Sequence, residues 1–558
     1  MESSQLKNIF NIKYMKKCSD DIQYGTAGFR AKANVLEHVL YRMGLLAVLR
    51  SKVKNAAIGL MITASHNIGS DNGVKLIDPA GEMLEAAWEH IATNLVNVED
   101  SNLVSTIEHI IKEQNVNMST DAVVITGRDT RESSPTLLNA ALAGIEALHG
   151  FVQDFGIVTT PQLHYLVVCT NTNGSYGDPT LYGYYVKLSE AFKHVRQNMV
   201  NNGQYVAELL LDAANGVGAN AIREFKNYIG TAIAINVYND GDGKLNHMCG
   251  ADYVKVQQVP PINFPLKPNV RCASIDGDAD RIIYFYMDED NKFHLLDGDR
   301  IATLIAEYLK ELLQESHLSF QLGLVQTAYA NGSSTDYISN VLQIPVACVS
   351  TGIKHLHNKA LEFDIGIYFE ANGHGTVLFK ETTIETIKKA IINPEQSTSE
   401  KKAASKLLNI INVINQTVGD AFSDMLLVET ILHAKGWDII EWEKMYKDLP
   451  NQQLKIKISD KNVITTTNAG RQCITPEGLQ NEIDKVVSQY KKGRSFVRPS
   501  GTEDIVRVYA ECENLCDLNK LITDVALLVY DRAGGIGPKP QLSYRWSTVY
   551  AVFKTLYT

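Results

Sequence analysis

Four short stretches of this sequence hold reactive or ligand-binding residue types at spacings a folded chain can use. The first is Thr63-Ala64-Ser65-His66-Asn67, a serine at the end of an apolar run, among residues small enough to let a ligand reach the backbone. A serine there equally suits the N-cap of a following helix, and His66 a structural hydrogen bond. The second is Asp276-Gly277-Asp278-Ala279-Asp280-Arg281. Carboxylates at alternate positions of a small-residue turn can aim their oxygens at one hard cation, and they repel one another without it. An EF-hand is excluded, because Arg281 stands where that loop needs Gly and Met287 where it needs Glu. An incomplete oxygen set that leaves room for a phosphate suits Mg2+; a solvated acidic turn is the alternative. Asp240 with Asp242, and Asp297 with Asp299, offer two carboxylates each and read as turns or caps.

The third stretch, Glu370-Ala371-Asn372-Gly373-His374-Gly375, pairs acceptors and donors at the spacing of neighbouring sugar hydroxyls, and its glycines clear space for a ring. A charged turn is the alternative. The fourth, Arg498-Pro499-Ser500-Gly501-Thr502-Glu503 with Arg507 beyond it, combines backbone N–H groups that can nest an anion, two hydroxyls and a planar guanidinium fork. No Gly-Lys-Ser/Thr follows, so it is not a nucleotide-hydrolysing phosphate loop. His66, Lys75 and His374 are the candidate proton carriers of the whole set.

Loops of this kind need strands that end in small residues. Residues 56–96, 206–229 and 322–342 each read as an apolar β-rich run, a turn of Gly, Ser or Asn, and then a helical pattern. That is the βα unit of an open α/β sheet, whose ligands gather at strand C-terminal ends. Three units in series imply three related α/β domains. Residues 299–316 show helical apolar spacing with Asp297 or Asp299 placed as N-cap, 393–405 read as an exposed loop and 406–446 as helices. From about residue 447 the texture shifts to short strands and a helix near 517–532, an α+β unit. The expected boundaries are 1–200 for the unit with the serine loop, 201–298 for the aspartate loop, 299–446 for the Glu370 loop and 447–558 for the Arg498 loop. The aromatic-rich end, 543–558, has no functional reading.

Composition bounds the rest. A chain of 558 residues, 45% hydrophobic, buries about three quarters of its unfolded surface without disulfide or metal staples. The net charge of −10, from 53 Lys+Arg and 63 Asp+Glu, argues against a general nucleic-acid binder. Any phosphate must therefore be held by a local group of cations and N–H donors. The eight cysteines form no CxxC pair, which favours buried free thiols in a reducing cytoplasm over a zinc or redox centre. With no signal-peptide pattern and no membrane-spanning run, the sequence reads as soluble and cytoplasmic, with no membrane partner.

A serine loop, a triple-aspartate loop, a Glu-Ala-Asn-Gly-His loop and an Arg-Pro-Ser-Gly-Thr loop, in that order, resemble the α-D-phosphohexomutase superfamily over about residues 20–535. The likeness includes YGTAGFR from Tyr24 to Arg30 and GRDTR ending at Arg131. The variants TASHN, GYYVKLSEAF and FEANGHGT, with Asn372 where glucose- and mannose-type relatives usually have Ser, look like the branch acting on N-acetylglucosamine phosphate. The resemblance implies a four-domain phosphohexomutase architecture, three mixed α/β domains followed by a smaller α+β domain. It implies interconversion of N-acetylglucosamine 6- and 1-phosphates in UDP-N-acetylglucosamine biosynthesis, with the same chemistry on another hexose phosphate, or an inactive sugar-phosphate-binding regulator, as alternatives. Ser65 would be a phosphoserine, supported by Arg30, with one Mg2+ held by Ser65, Asp276, Asp278 and Asp280. Glu370, Ala371, Asn372 and His374 would face the sugar, and Arg498, Pro499, Ser500, Gly501, Thr502 and Arg507 the distal phosphate. Glucose or N-acetylglucosamine 1,6-bisphosphate would be the activator, a small-molecule sugar phosphate the partner, and the chain a monomer or weak dimer. One departure stands out. The family's serine loop usually has Pro after Asn, whereas Asn67 is followed here by Ile68-Gly69, which implies a less rigid loop.

Overall fold

The computed structural model describes residues 9, 11–25, 28–197, 203–500 and 504–541. The first sheet joins β1 (Phe29–Lys32), β2 (Ile58–Ile62), β3 (Asp71–Ile77), β4 (Val123–Arg128) and β5 (Phe151–Ile157) in the order β1-β3-β2-β4-β5. The second joins β6 (Glu208–Asp212), β7 (Ala234–Tyr238), β8 (Cys272–Ile275), β9 (Ile282–Met287) and β10 (Phe293–Leu296) in the order β10-β9-β8-β6-β7. The third, from β11 (Leu322–Thr327), β12 (Val346–Val349), β13 (Ile365–Phe369) and β14 (Gly375–Phe379), has the order β12-β11-β13-β14. Beyond β15 (Asn451–Lys457) come a two-stranded ribbon, β16 (Thr465–Thr467) and β17 (Gln472–Thr475), then β18 (Arg494–Pro499) and β19 (Ile505–Glu511). Strands β15, β19 and β18, in that order, form the small fourth sheet.

Crossed from one edge, the first two sheets share a pattern of two antiparallel pairings followed by two parallel ones. The third sheet repeats it without the outermost strand. The hairpins β2–β3, β8–β9 and β13–β14 therefore occupy equivalent places, and their tips hold Ser65, the three aspartates and the Glu370 loop. The three mixed α/β domains are present, but the expected first repeat is out of register. Strand β2 runs into antiparallel β3, not into a helix. The strand equivalent to β6 and β11, which lead into helices Val217–Ile229 and Gly332–Asp336, is β4, which leads into helix Ser134–Ala147. The start of β3, Asp71-Asn72-Gly73, has the composition of a turn. It is extended because Asn72 bonds the Ser133 and Ser134 hydroxyls (2.9 and 3.0 Å) and the strand pairs with both neighbours.

A second difference lies at residues 393–405, where a helix, Thr398–Val413, already begins. Its start is a capping box between Ser397 and Glu400, the reciprocal pair of bonds that stops a helix end from fraying. Helix Gly298–Glu315 is capped by Asp297, as its spacing predicts.

One continuous apolar core runs from Met61 and Ile77 through Leu211, Ile275 and Ile282 to Ile367, Phe369 and Trp442, so the first three sheets are packed as one body. The central strands β2, β8, β11 and β13 are buried on both faces, which is why they read as unbroken apolar runs. The fourth sheet has its own core, from Ile456 to Val529, beneath helix Leu515–Arg532. Arg494 fastens it to the third unit through the carbonyls of Ala328 (2.8 Å) and Ala330 (2.6 Å), and Asn331 bonds the Leu449 carbonyl (2.9 Å). Among the described residues, no helix is long and apolar enough to cross a membrane.

Candidate active site

Ser65 turns the chain from β2 toward β3 at φ +48°, fully buried. Its hydroxyl donates to Asp278 Oδ2 (2.8 Å) and accepts from Arg30 Nη2 (2.9 Å). Its N–H bonds Thr63 Oγ1 (2.9 Å), and its carbonyl accepts from Arg131 Nη2 (3.0 Å) and Asn246 Nδ2 (2.8 Å). Arg131 is itself paired with Asp129 (2.9 Å) and donates to the carbonyls of Asn67 (2.9 Å), Ile68 (2.6 Å) and Asp71 (2.9 Å). The Ile68-Gly69 turn, for which the sequence implied less rigidity, is thus bound along its length by one guanidinium.

Asp276, Asp278 and Asp280 are all buried, from three carboxylates in one tip. Lys75 Nζ donates to Asp278 (3.1 Å) and Asp280 (3.2 Å), and the Thr160 hydroxyl to Asp278 (2.6 Å). Asp276 accepts the N–H groups of Asp280 (3.1 Å) and Arg281 (3.2 Å) through one oxygen. Left without a hydrogen-bond donor are Asp276 Oδ2, Asp278 Oδ1 and Asp280 Oδ1. One oxygen from each of the three lies within 4.8 Å of the others. Buried oxygens without donors are costly unless something else satisfies them, and an all-oxygen set of this size suits a hard divalent cation such as Mg2+. Burial, and then Asp280 and Asp278, push the Asp276 carboxyl well up, whereas nearby cations outweigh burial and hold Asp278 and Asp280 below the ordinary carboxylate value. Burial alone would lower the Lys75 ammonium, but Asp278 and Asp280 outweigh it and hold it above its ordinary value.

Gly277 lets the two loops touch, since a Cβ there would stand 2.6 Å from the Ser65 carbonyl and 2.7 Å from Asn246 Nδ2. The Glu370 loop joins from the third sheet. Gly373, at φ +85°, accepts from the Ile282 N–H (3.2 Å), so the sugar-loop candidate lies on the strand leaving the aspartates. Glu370, Ala371 and Asn372 are half-buried, and Asn372 Oδ1 accepts the His374 N–H (3.1 Å). His374 Nδ1 stands 3.9 Å from Asp280. Burial lowers the pKa of both His374 and His66, with Arg281 adding to it at His66. Lys75, by contrast, is committed as an ion-pair cation.

The Arg498 candidates lie elsewhere. Arg498 stands directly across from Arg507, and Arg507 across from Lys455, on the face of the fourth sheet opposite its apolar core. These three cations form a row with no ion-pair partner among the described residues. Pro499 and Ser500 are half-buried at the end of β18, and Gly501 and Thr502 lie outside the described residues. Among the described residues no hydrogen bond joins this row to Ser65. Further along the same face, Phe496 and Tyr509 pack on Tyr329 of the third unit, so the row sits at the rim of the docked surface.

Family models match most of the chain: "Phosphoglucomutase/phosphomannomutase, alpha/beta/alpha domain I" over residues 31–103 and 95–176, "Phosphoacetylglucosamine mutase AMG1, domain III" over 297–437, and "Phosphoglucomutase/phosphomannomutase, C-terminal domain" over 459–528. The phosphoacetylglucosamine mutase of Sus scrofa is 53% identical over 521 residues, 93% of this chain and 96% of that protein. The chain belongs to the phosphoacetylglucosamine mutase family. Among solved structures, Aspergillus fumigatus N-acetylphosphoglucosamine mutase in complex with GlcNAc-6P and magnesium has a TM-score of 0.91 at 46% identity, covering 96% of this chain and 100% of that one. A serine-to-alanine variant of that enzyme, in complex with glucose 1,6-bisphosphate, has a TM-score of 0.89 at the same identity and coverage.

Within this phosphoacetylglucosamine mutase fold, the roles of four residues escape sequence reasoning. Thr160 is the first residue of a helix capped by Thr159, and its spare hydroxyl is the signal. Lys455 shows only as alternation in β15. Arg131, in the GRDTR motif, and Asn246 bind backbone carbonyls, which leave no mark in the sequence.

Proposed function

We propose that the chain interconverts N-acetylglucosamine 6-phosphate and N-acetylglucosamine 1-phosphate through a phosphoserine at Ser65 and a 1,6-bisphosphate. The observation that supports this most directly is the Ser65 hydroxyl, held between Asp278 and Arg30 at 2.8 and 2.9 Å beside three donor-free carboxylate oxygens. When bound by Asp276, Asp278, Asp280 and a phosphoserine oxygen, Mg2+ supplies charge compensation for the transferring phosphoryl group. Arg30 holds an oxygen of that group, and Lys75 and Thr160 keep Asp278 aligned. The substrate's phosphate docks at Arg498–Thr502 and Arg507, with Lys455 in the same row, leaving its free hydroxyl toward Ser65. After the first transfer the bisphosphate turns end over end and returns its other phosphate to Ser65. Glu370, Ala371, Asn372 and His374 hold the sugar in both orientations. The units 1–200, 201–298, 299–446 and 447–558 divide these tasks. Eight free thiols fit a reducing cytoplasm, and a monomer or weak dimer completes the reading.

The test is initial rates on N-acetylglucosamine 6-phosphate and on glucose 1-phosphate, each with catalytic bisphosphate. Higher efficiency on the acetylated sugar is expected from the Asn372 loop. Equal or better efficiency on glucose 1-phosphate would transfer the chain to a general hexose-phosphate mutase.

A further inference from the structure

Asn246 belongs to the second unit, yet both hydrogens of its side-chain amide are spent on the first, at the carbonyls of Ser65 (2.8 Å) and Asn67 (2.9 Å). Its own N–H is anchored on the Ala214 carbonyl (2.9 Å), at the C-terminal end of β6, and its φ of +53° lies in the left-handed region. The amide also lies against Gly277, so it spans the seam between the serine loop and the aspartate loop. Arg131 reaches the same Ser65 carbonyl from the first unit. The two bonds fix the Ser65 carbonyl from both units, while its hydroxyl bonds Asp278 and Arg30.

We propose that Asn246 is a positioning residue that sets the nucleophile loop in register with the carboxylate loop across the boundary between two sheets. This rests on Ser65 being the phosphoryl acceptor. The step it governs is the loading of Ser65: an Oγ–P bond forms, the P–O bond to the sugar breaks, and the hydroxyl proton ends on the sugar oxygen. Substrate binding, which involves other loops, does not depend on it. A reacting atom displaced by about 1 Å costs on the order of a hundredfold in rate.

Asn246→Gly separates the two roles this residue can have. Glycine accepts a positive φ without strain, so a merely structural turn is preserved, whereas the amide is lost. Asn246→Asp keeps the shape but turns an oxygen toward two carbonyls. We expect both variants to lower kcat by about ten- to a hundredfold, to leave KM for N-acetylglucosamine 6-phosphate within about twofold, and to slow single-turnover loading of Ser65 from glucose 1,6-bisphosphate, read by intact mass. The Asn246→Gly protein should melt within a few degrees of wild type. Full kcat in Asn246→Gly overturns the proposal, as does a rate loss matched by a rise in KM or by loss of the folded state. Ser65→Ala is measured in parallel. If it still turns over, the phosphoserine reading itself fails, which separates that failure from this one.

Discussion

At φ +48°, Ser65 sits in a conformation that costs a non-glycine residue on the order of 1–2 kcal/mol, and the surrounding bonds over-determine it. Two hydroxyls meet Asp278 Oδ2, those of Ser65 and Thr160 (2.8 and 2.6 Å), and only the first also accepts from Arg30. That difference favours Ser65 over Thr160 as the proposed nucleophile. Ser65→Ala should abolish turnover and leave the purified protein without the phosphate that intact-mass analysis finds on active wild type. Thr160→Val should turn over more slowly while Ser65 remains phosphorylated; a phosphate found on Thr160 instead would reverse the assignment. At the cation site, chelation should stop catalysis reversibly, and Asp278→Asn should lower both the rate and the response to added Mg2+. The fold should survive either treatment, because the shared core of the first three units does not depend on the ion. Full activity in the chelated protein would reduce the aspartate tip to a turn.

Three hairpins of like placement explain why such different chemistry converges: each central strand delivers one loop to the same side of its sheet. The fourth sheet contributes a row of like charges. Cations directly across from one another in neighbouring strands repel, and nothing described neutralises them, so an anion is the natural partner. Arg498 is only half-buried, and hydrogen bonds to charged groups are worth about 1.5–3 kcal/mol, so Arg498→Ala should lower kcat/KM by roughly ten- to a hundredfold and release free bisphosphate. Lys455→Ala should do the same more weakly, mainly through KM; a change below twofold in both variants would remove the row from the site. Much of this site is legible in the amino-acid sequence. The serine, aspartate, Glu370 and Arg498 loops announce themselves as polar tips on apolar runs. The registers are not legible, since the placement of Lys455 opposite Arg507 and the extension of Asp71-Asn72-Gly73 into a strand depend on pairing partners distant in sequence. The clamps at Arg131 and Asn246 stay hidden for a related reason, their partners being main-chain carbonyls that every residue has.

For the molecule as a whole, buried histidines contribute to the expected acid response, three of them outside the site. His38, His164 and His357 are buried, and loss of solvation pushes each down to about 4. The unfolded value is about 6.5, so the unfolded chain takes up protons first. Their neutrality therefore contributes stability above pH 6.5 that is lost as the pH falls through 6.5 toward 4, on the order of 3 kcal/mol each at most. The melting temperature should drop across that window, and His357→Gln should shallow the slope; a flat wild-type profile between pH 6.5 and 4 would refute this. The contact between Ser65 and Asp278 also has a bearing on how the molecule is made. The two residues are 213 apart, and at roughly 5–20 residues per second a ribosome needs on the order of 10–40 s to pass from one to the other. During that interval the emerging chain offers a serine that Asp278 does not yet orient, Asn246 having been added only toward its end. On the proposed reading, a phosphosugar meeting the unfinished chain finds a serine without its carboxylate partner, so the order of synthesis delays the chemistry until the second sheet is made.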